Sequence, residues 1–212
     1  LCIAAVPKLT AQNKSNKGKE FWLGYGHNVL FTSGPPVNSQ THVLYLSAEQ
    51  AATVTVSING TSWSQTVNIP ANTVDYSVII PKSGSEDARL LAEGKSTKAV
   101  HIISDVPIVV YAHQQGSVSS GATMLMPVET FGYTYYSLNF TQISNYPDCY
   151  SWFYAVAAED NTRILITPSD STQGGWEPGL TYTVNLNKGE IYNVFGKKTG
   201  NYTGKDMSGS KI

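Results

Sequence analysis

Charge is what this sequence has least of. Of 212 residues, 14 are Lys or Arg and 15 are Asp or Glu, giving a net charge of −1 and a charged fraction of 14%. An ordinary soluble domain carries about 25%. Charge so sparse and balanced excludes a basic nucleic-acid surface and an acidic solvating tail. Cysteine is scarcer: Cys2 and Cys149 are the full complement. Cys2 sits in an N-terminal stretch that reads as a removable export signal, which leaves Cys149 alone and no internal disulfide. A chain of this length can build a core large enough to do without one. Long apolar runs are missing as well, since no stretch approaches the roughly 18 residues of a spanning helix. Helical periodicity extends nowhere beyond about two turns. Its best case is Ser85 to Glu93, where Glu86, Asp87 and Glu93 with Leu90 and Leu91 predict a short surface turn.

What is present points one way. Polarity comes from hydroxyls, 22 Ser and 20 Thr, with 13 Tyr among the aromatics. A hydrophobic fraction of 41% with 11% aromatics excludes wholesale disorder. The β-branched and aromatic bias, with 18 Gly and 10 Pro as punctuation, predicts an all-β fold. At the N-terminus the apolar run Leu1 to Val6 gives way to Pro7-Lys8-Leu9-Thr10-Ala11-Gln12, the order of a signal-peptide tail. Residues 1–12 are therefore expected to be a signal-peptide remnant and 13–19 a linker. A lipid-modified Cys2 is disfavoured by the large Leu1 before it.

Two stretches read alike 110 positions apart: Ala48-Glu49-Gln50-Ala51-Ala52-Thr53-Val54-Thr55-Val56 and Ala158-Glu159-Asp160-Asn161-Thr162-Arg163-Ile164-Leu165-Ile166. Each follows a run rich in apolar residues (Val43 to Leu46; Trp152 to Val156) and each continues in strict alternation, so each pair reads as a hairpin with one buried side. Thr66-Val67-Asn68-Ile69 then matches Thr183-Val184-Asn185-Leu186, and Ser96 to Ile102 matches Met207 to Ile212. Two tandem, duplicated β-sandwich-like units are expected, residues 20–130 and 131–212, with the second incomplete at Ile212. Strands are expected at 20–26, 41–48, 52–58, 63–69, 73–80, 98–103, 107–113 and 121–126, then at 134–140, 150–157, 162–167, 180–186 and 189–195. Ser104-Asp105-Val106-Pro107 reads as a turn between two of them. The glycines of Phe21-Trp22-Leu23-Gly24-Tyr25-Gly26 read as sites of close approach.

Several segments carry a family resemblance. They are Gly18-Lys19-Glu20-Phe21-Trp22-Leu23-Gly24, the run Val100 to Tyr111, Ser119-Ser120-Gly121-Ala122, Leu125-Met126-Pro127-Val128, Gly132-Tyr133-Thr134-Tyr135-Tyr136 and Ala157 to Thr162. In order and spacing they resemble the IgGFc-binding protein N-terminal domain family over residues 17–212, and the N-terminal junction favours its secreted bacterial surface-protein branch. The resemblance implies a non-enzymatic extracellular binding or adhesion module, secreted or attached to a cell surface as part of a larger protein. It implies a protein or glycan ligand, with immunoglobulin Fc suggested by the family name alone. No catalytic residue, metal or cofactor follows from it.

Tyr133, Tyr135, Tyr136, Tyr146, Tyr150, Trp152, Phe153 and Tyr154 crowd 22 positions, more than alternation can bury on one face. Tyr133, Tyr135, Tyr136, Tyr146, Tyr150, Trp152 and Tyr154 are the expected ligand-binding aromatic surface; the alternative role for them is filling the junction between the two units. The loop Phe31 to Gln40, with Gly34-Pro35-Pro36, is a second candidate tip. His113, Ser119, Ser120 and Asp105 are the types used in acyl transfer but lack a nucleophile elbow. His27, His42, His101 and His113 lack metal-ligand spacing, although the strand pattern puts His101 and His113 on adjacent strands. Asp148 with Glu159-Asp160-Asn161 is a modest oxygen cluster that reads as turn chemistry rather than calcium ligation. Four Asn-x-Ser/Thr sequons occur, at Asn13, Asn59, Asn139 and Asn201. The alternatives to a binding module are a secreted carbohydrate-active hydrolase or its accessory domain, which needs paired carboxylates, and a structural spacer in a surface protein.

Overall fold

The computed structural model describes residues 15–34 and 36–212, so the expected signal remnant at 1–12 and the Asn13 sequon lie outside the described residues. Among the described residues fifteen strands follow one another: β1 Gly18–Leu23, β2 Thr41–Ala48, β3 Ala52–Ile58, β4 Ser64–Ile69, β5 Thr73–Asp75, β6 Ile79–Ile80, β7 Gly94–Ser96, β8 Val100–Gln115, β9 Gly121–Met124, β10 Gln142–Ile143, β11 Trp152–Val156, β12 Thr162–Ile166, β13 Tyr182–Leu186, β14 Ile191–Phe195 and β15 Thr203–Gly204. The helical structure among the described residues is three short 3-10 turns, Val29–Phe31, Gly84–Glu86 and Val128–Thr130. The all-β class read from composition is the observed class, and the ladders between strands are antiparallel.

The first half is organised around β8. Phe21 of β1 and Val56 of β3 both face Ile102, on opposite flanks, while Gly18 of β1 and Ala48 of β2 both face Ile108. β2 and β3 therefore share one flank of β8 and run along it end to end in the same direction. The expected hairpin between them is not formed. The linking residues Glu49, Gln50 and Ala51 supply no positive φ, which a tight hairpin turn requires. The chain steps sideways there and continues.

The expected turn at Ser104 to Pro107 is likewise not a strand end, since β8 runs unbroken for 16 residues. Between Ser104 and Ile108 neither β2 nor β3 pairs with it, so the missing N–H of Pro107 breaks no bond to that flank. The Asp105 carboxylate accepts the Thr53 N–H at 2.8 Å, and its carbonyl accepts from Lys19 Nζ at 2.7 Å. Turn chemistry here lets one strand change partners. The expected strand 73–80 is split into β5 and β6 because Asp75 takes the N–H and hydroxyl of Ser77 at 3.0 and 2.9 Å.

Alternation sends Phe21, Leu23 and Tyr25, Leu44 and Leu46, Val54, Val56 and Ile58, Val100 and Ile102, and Ile108 and Val110 into one core of 20 buried residues. Each large side chain so buried contributes about 1.5–3 kcal/mol of transfer free energy.

The second half is built from small sheets: β11-β14-β7, β12-β13 and β10-β15. Its core gathers seven buried residues, among them Phe153, Ile166, Leu186 and Met207. The pairing is nested as in the first half. There β3 pairs β4 while β2 pairs β5; here β12 pairs β13 while β11 pairs β14. Ser57 faces His101, and 110 positions later Thr167 bridges Lys211. Residues 134–140, expected as a strand, hold a single bridge, Tyr136 to Lys211, with backbone bonds from 135 to 212 and 137 to 210. The strand β7, which sequence patterning missed, leaves the first half to pair with β14.

Candidate binding surface

The expected aromatic surface separates into two groups. Tyr150, Trp152 and Tyr154 turn toward the first half. Alternation in β1 and the residues just after it sends Phe21, Leu23 and Tyr25 inward and leaves Trp22, Gly24 and Gly26 facing out. The Trp152 indole lies on Gly26 and the Tyr154 ring on Gly24, so closely that a Cβ at either position meets an aromatic ring. Burial raises the Tyr154 hydroxyl well above its ordinary value. Tyr150 stacks on Phe195 at 4.5 Å between ring centroids and meets His27 edge-on at 5.0 Å. His27 Nε2 donates to the Asp148 carbonyl at 2.6 Å, a bond between the halves. Tyr146 packs on the Gly34 turn. These four residues line the junction.

Tyr133, Tyr135 and Tyr136 face solvent; Tyr133 is wholly exposed and Tyr136 is 66% exposed. Just beyond them lie three residues that the sequence reading left out: Leu138, Phe140 and Ile143, at 89%, 83% and 74% exposure. The signal for them was present but inverted. In Ser137-Leu138-Asn139-Phe140 the polar residues turn inward to make hydrogen bonds, Ser137 to the Met207 carbonyl and Asn139 Nδ2 to the Trp152 carbonyl at 2.5 Å, and the exposed Thr141 bonds Asp206 at 3.3 Å. The apolar residues are left outside. A cleft of about 480 Å³ runs between this segment and the start of β11, lined by Leu138, Asn139, Phe140, Tyr150, Trp152 and Tyr154 among others. The Asn139 Oδ1 is buried in its wall without a partner. No carboxylate lines it, so the two-acid geometry that a glycosidase needs is not found there.

A polar latch closes the junction. Trp22 and His101 stack at 3.8 Å with planes 4° apart. Glu20 accepts from His101 Nε2 at 2.9 Å and pairs with Lys188 Nζ at 3.0 Å, across from the second half. Burial alone would raise the Glu20 carboxyl, but the bonds from Lys188 and His101 hold it below its ordinary value. Burial lowers His101 and His27, and their partners only partly offset it. His42 is fully buried, stacked on Tyr25 at 4.1 Å with both ring nitrogens unpartnered, and burial pushes it down to about 4.

The other candidates are dispersed. His101 and His113 lie on the same strand, β8, rather than on adjacent ones, and twelve residues of extended chain hold them about 40 Å apart. Asp105 is spent on Thr53, and Ser120 bonds the Gly116 carbonyl at 2.9 Å. Asp148 pairs with Lys198 at 2.8 Å, while Asp160 accepts the Lys188 N–H at 3.0 Å. Among the described residues no three His, Cys, Asp or Glu side chains gather at metal-binding distance. In the loop at 31–40, Phe31 is buried and Lys82 Nζ ties down the carbonyls of Asn38 and Gln40 at 2.6 and 2.5 Å. Val37 in this loop is exposed. Among the described residues no helix is long and apolar enough to cross a membrane.

The family model described as "IgGFc binding protein" matches residues 121–212, which include the tyrosine cluster, the cleft and the whole second half. No curated protein matches the chain. One solved structure, titled "Crystal Structure of Thermotoga maritima 1070", is similar at 13% identity and a TM-score of 0.36, over 54% of this chain and 98% of that one.

Proposed function

We propose, from the match of residues 121–212 to the IgGFc-binding family, that this chain is an extracellular, non-enzymatic binding module for a protein partner. The partner docks on the second half. The observation that carries this reading is the exposed apolar stretch Tyr133, Tyr136, Leu138, Phe140 and Ile143, of which Leu138 and Phe140 line the cleft. Contiguous apolar surface of this kind is costly to leave in water and marks interaction sites. Tyr supplies rigid amphipathic contact area at low entropic cost, and Phe140 and Leu138 are the anchors. Tyr146, Tyr150, Trp152 and Tyr154 support the cleft from the junction side. A structural spacer has no use for such a patch.

The nested strand pairing repeated in the two halves supports tandem units of one duplicated pattern, 20–130 and 131–212, with β7 crossing from the first into the second. The test is a protein array that includes immunoglobulin and its Fc fragment, probed with the chain and with a Tyr133→Ser, Tyr136→Ser, Phe140→Ser variant. Capture of a partner by the chain, weakened at least tenfold in the variant at unchanged thermal stability, is the expected result. Equal capture by both would overturn the assignment of this surface.

A further inference from the structure

The two halves differ in one flank. In the first, β3 pairs β4 on one side and β8 on the other, and β2 lies between β8 and the pair β5 and β6. Among the described residues their counterparts pair on one side only: β12 with β13, and β11 with β14. Successive residues of an antiparallel strand turn their backbone N–H and C=O groups to opposite flanks. The Ser151 carbonyl accepts the Gly196 N–H at 2.8 Å and the Ala157 N–H donates to the Glu190 carbonyl at 3.0 Å, so odd-numbered residues of β11 serve β14. Trp152, Tyr154 and Val156 therefore turn their backbone groups to the open flank. In β12 the phase is set just past its end, where Thr167 and Lys211 exchange two backbone bonds at 2.8 and 3.0 Å. Leu165 and Arg163 present the same groups next along that flank.

An open strand edge is ordinary at the rim of a sheet, and β4 and β13 each have one. The flank of β12 and β11 corresponds instead to the interior of the first half. What lies there is β8, antiparallel to its neighbours, with Ser104 opposite Val54 on β3 and then Ile108 to Gln115 opposite Ala48 to Thr41 on β2. Its side chains are buried at every second position, Val100, Ile102 and Ser104, then Ile108, Val110 and Ala112. The second half bears the marks of lacking such a strand. Ile164 is only partly buried, whereas its counterpart Val54 is fully buried. Asn139 Nδ2 reaches the Trp152 carbonyl on the open flank, while its Oδ1 is buried without a partner in the wall of the cleft along the start of β11.

We propose that the open flank of β12 and β11 is a strand-acceptor groove, in which a protein partner inserts an extended segment antiparallel to both strands and apolar at every second residue. This rests on the reading that the second half docks a protein, and it adds the mode of docking. Main-chain bonds to Leu165, Arg163, Val156 and Tyr154 supply affinity, and the apolar side chains of the added strand cover Ile164. Leu138 and Phe140 line the same cleft as Trp152 and Tyr154, so the groove is continuous with the exposed apolar stretch.

The probe is a synthetic peptide with the sequence of Ile103–Gln115, the segment that fills the corresponding flank of the first half. Hydrogen exchange is followed in the full chain with and without it. In the free chain the amides of Arg163 and Leu165 should exchange at least tenfold faster than those of their counterparts Thr53 and Thr55. The peptide should slow Arg163, Leu165, Tyr154 and Val156 at least tenfold, and a scrambled peptide should not. Leu165 is 45% exposed, and Leu165→Pro removes a donor from the open flank without touching the β13 ladder. That variant should keep its unfolding curve and bind the peptide at least tenfold more weakly, whereas Leu165→Thr, which retains the N–H, should bind like the parent. Slow exchange at Arg163 and Leu165 in the free chain, no protection by the peptide, or protection that Leu165→Pro retains would each overturn the proposal. So would a longer form of the protein whose amides here are protected before any peptide is added, because its own chain would then fill the flank. On the protein array the two readings separate. Capture lost in Leu165→Pro but kept in the Tyr133, Tyr136, Phe140 variant would uphold the groove and discard the exposed stretch, and the opposite pattern would discard the groove alone.

Discussion

The two halves of the chain use one pairing scheme to different effect. In the first, β8 runs 16 residues and holds β1, β2, β3 and β9 in one sheet over a core of 20 buried side chains. In the second, the same nested pairs stand as separate sheets of two or three strands over a core of seven. The difference teaches where cooperativity comes from: local pairs make ladders, and a strand that spans them makes a single core. The second half is held instead by what it borrows, namely β7, the Glu93 carboxylate and the ring contacts on Gly24 and Gly26. If that borrowing is sufficient, the halves unfold together.

The largest effect is therefore expected from the main core. Phe21→Ala should cost about 3–5 kcal/mol and move a single urea transition to lower denaturant. Met207→Ala, in the small core, should cost about 2–5 kcal/mol and move the same transition. An early, separate transition in the Met207 variant alone, followed by tryptophan fluorescence and circular dichroism together, would show that the halves are independent.

Acid should act on the first half. All four histidines lie before residue 114, and burial holds His42 at about 4 against an ordinary 6.5. A base lowered in the folded state binds its proton more readily when unfolded. Its contribution is therefore complete above pH 6.5 and is lost as pH falls from 6.5 toward 4, on the order of 3 kcal/mol. His27 and His101, also lowered by burial, act in the same direction. His42→Phe leaves no ring nitrogen unpartnered, so it should be nearly neutral at pH 8 and flatten the stability slope between pH 6.5 and 4. An unchanged slope would place the acid sensitivity elsewhere.

Sequence legibility also differed between the halves. The apolar run at 41–48 and the strict alternation at 52–58 located β2 and β3 to the residue; alternation is clean in β3 because one of its faces is buried and the other is not. Pairing partners were illegible: nothing local tells that Ala48 and Ala52 lie along one neighbour, or that Pro107 sits where that flank is unpaired. Gly24 and Gly26, just after β1, read correctly as sites of close approach, but what approaches, Tyr154 and Trp152, lies far along the chain. Those two residues, with Tyr150, fit a surface and a junction alike in type, and only tertiary packing places them at the junction. β7 was invisible, as Gly94-Lys95-Ser96 has no apolar alternation at all. Leu138 and Phe140 were missed because alternation ordinarily buries the apolar set, and here hydrogen bonds claim the polar one.

Glu93 tests the borrowed strand more finely. It accepts from the N–H of Phe195 at 3.2 Å and also takes the backbone of Gly174 and Gln173 and the Thr172 hydroxyl. Burial raises its carboxyl, and those bonds partly offset the rise. Glu93→Ala leaves several donors without a partner, at about 1–3 kcal/mol. Hydrogen exchange should speed at residues 173, 174 and 195, while β2 and β3 stay protected. Equal loss of protection in both halves would mean that the strand supports the whole fold rather than the second half.

The smallest effect is expected at the latch. Glu20 and Lys188 are partly exposed, at 33% and 45% of their side-chain surface, so solvent screens the pair and Lys188→Met should cost only about 0.2–1 kcal/mol. The informative reading is its salt dependence. Raising salt should weaken the parent toward the variant, because an exposed pair is screened, while the Trp22–His101 stack and the Asn59 Nδ2 bond to the Gly189 carbonyl at 2.9 Å persist in both. A Lys188 variant as salt-sensitive as the parent would show that shape, through Gly189 on Trp22 and Trp152 on Gly26, rather than charge, joins the halves.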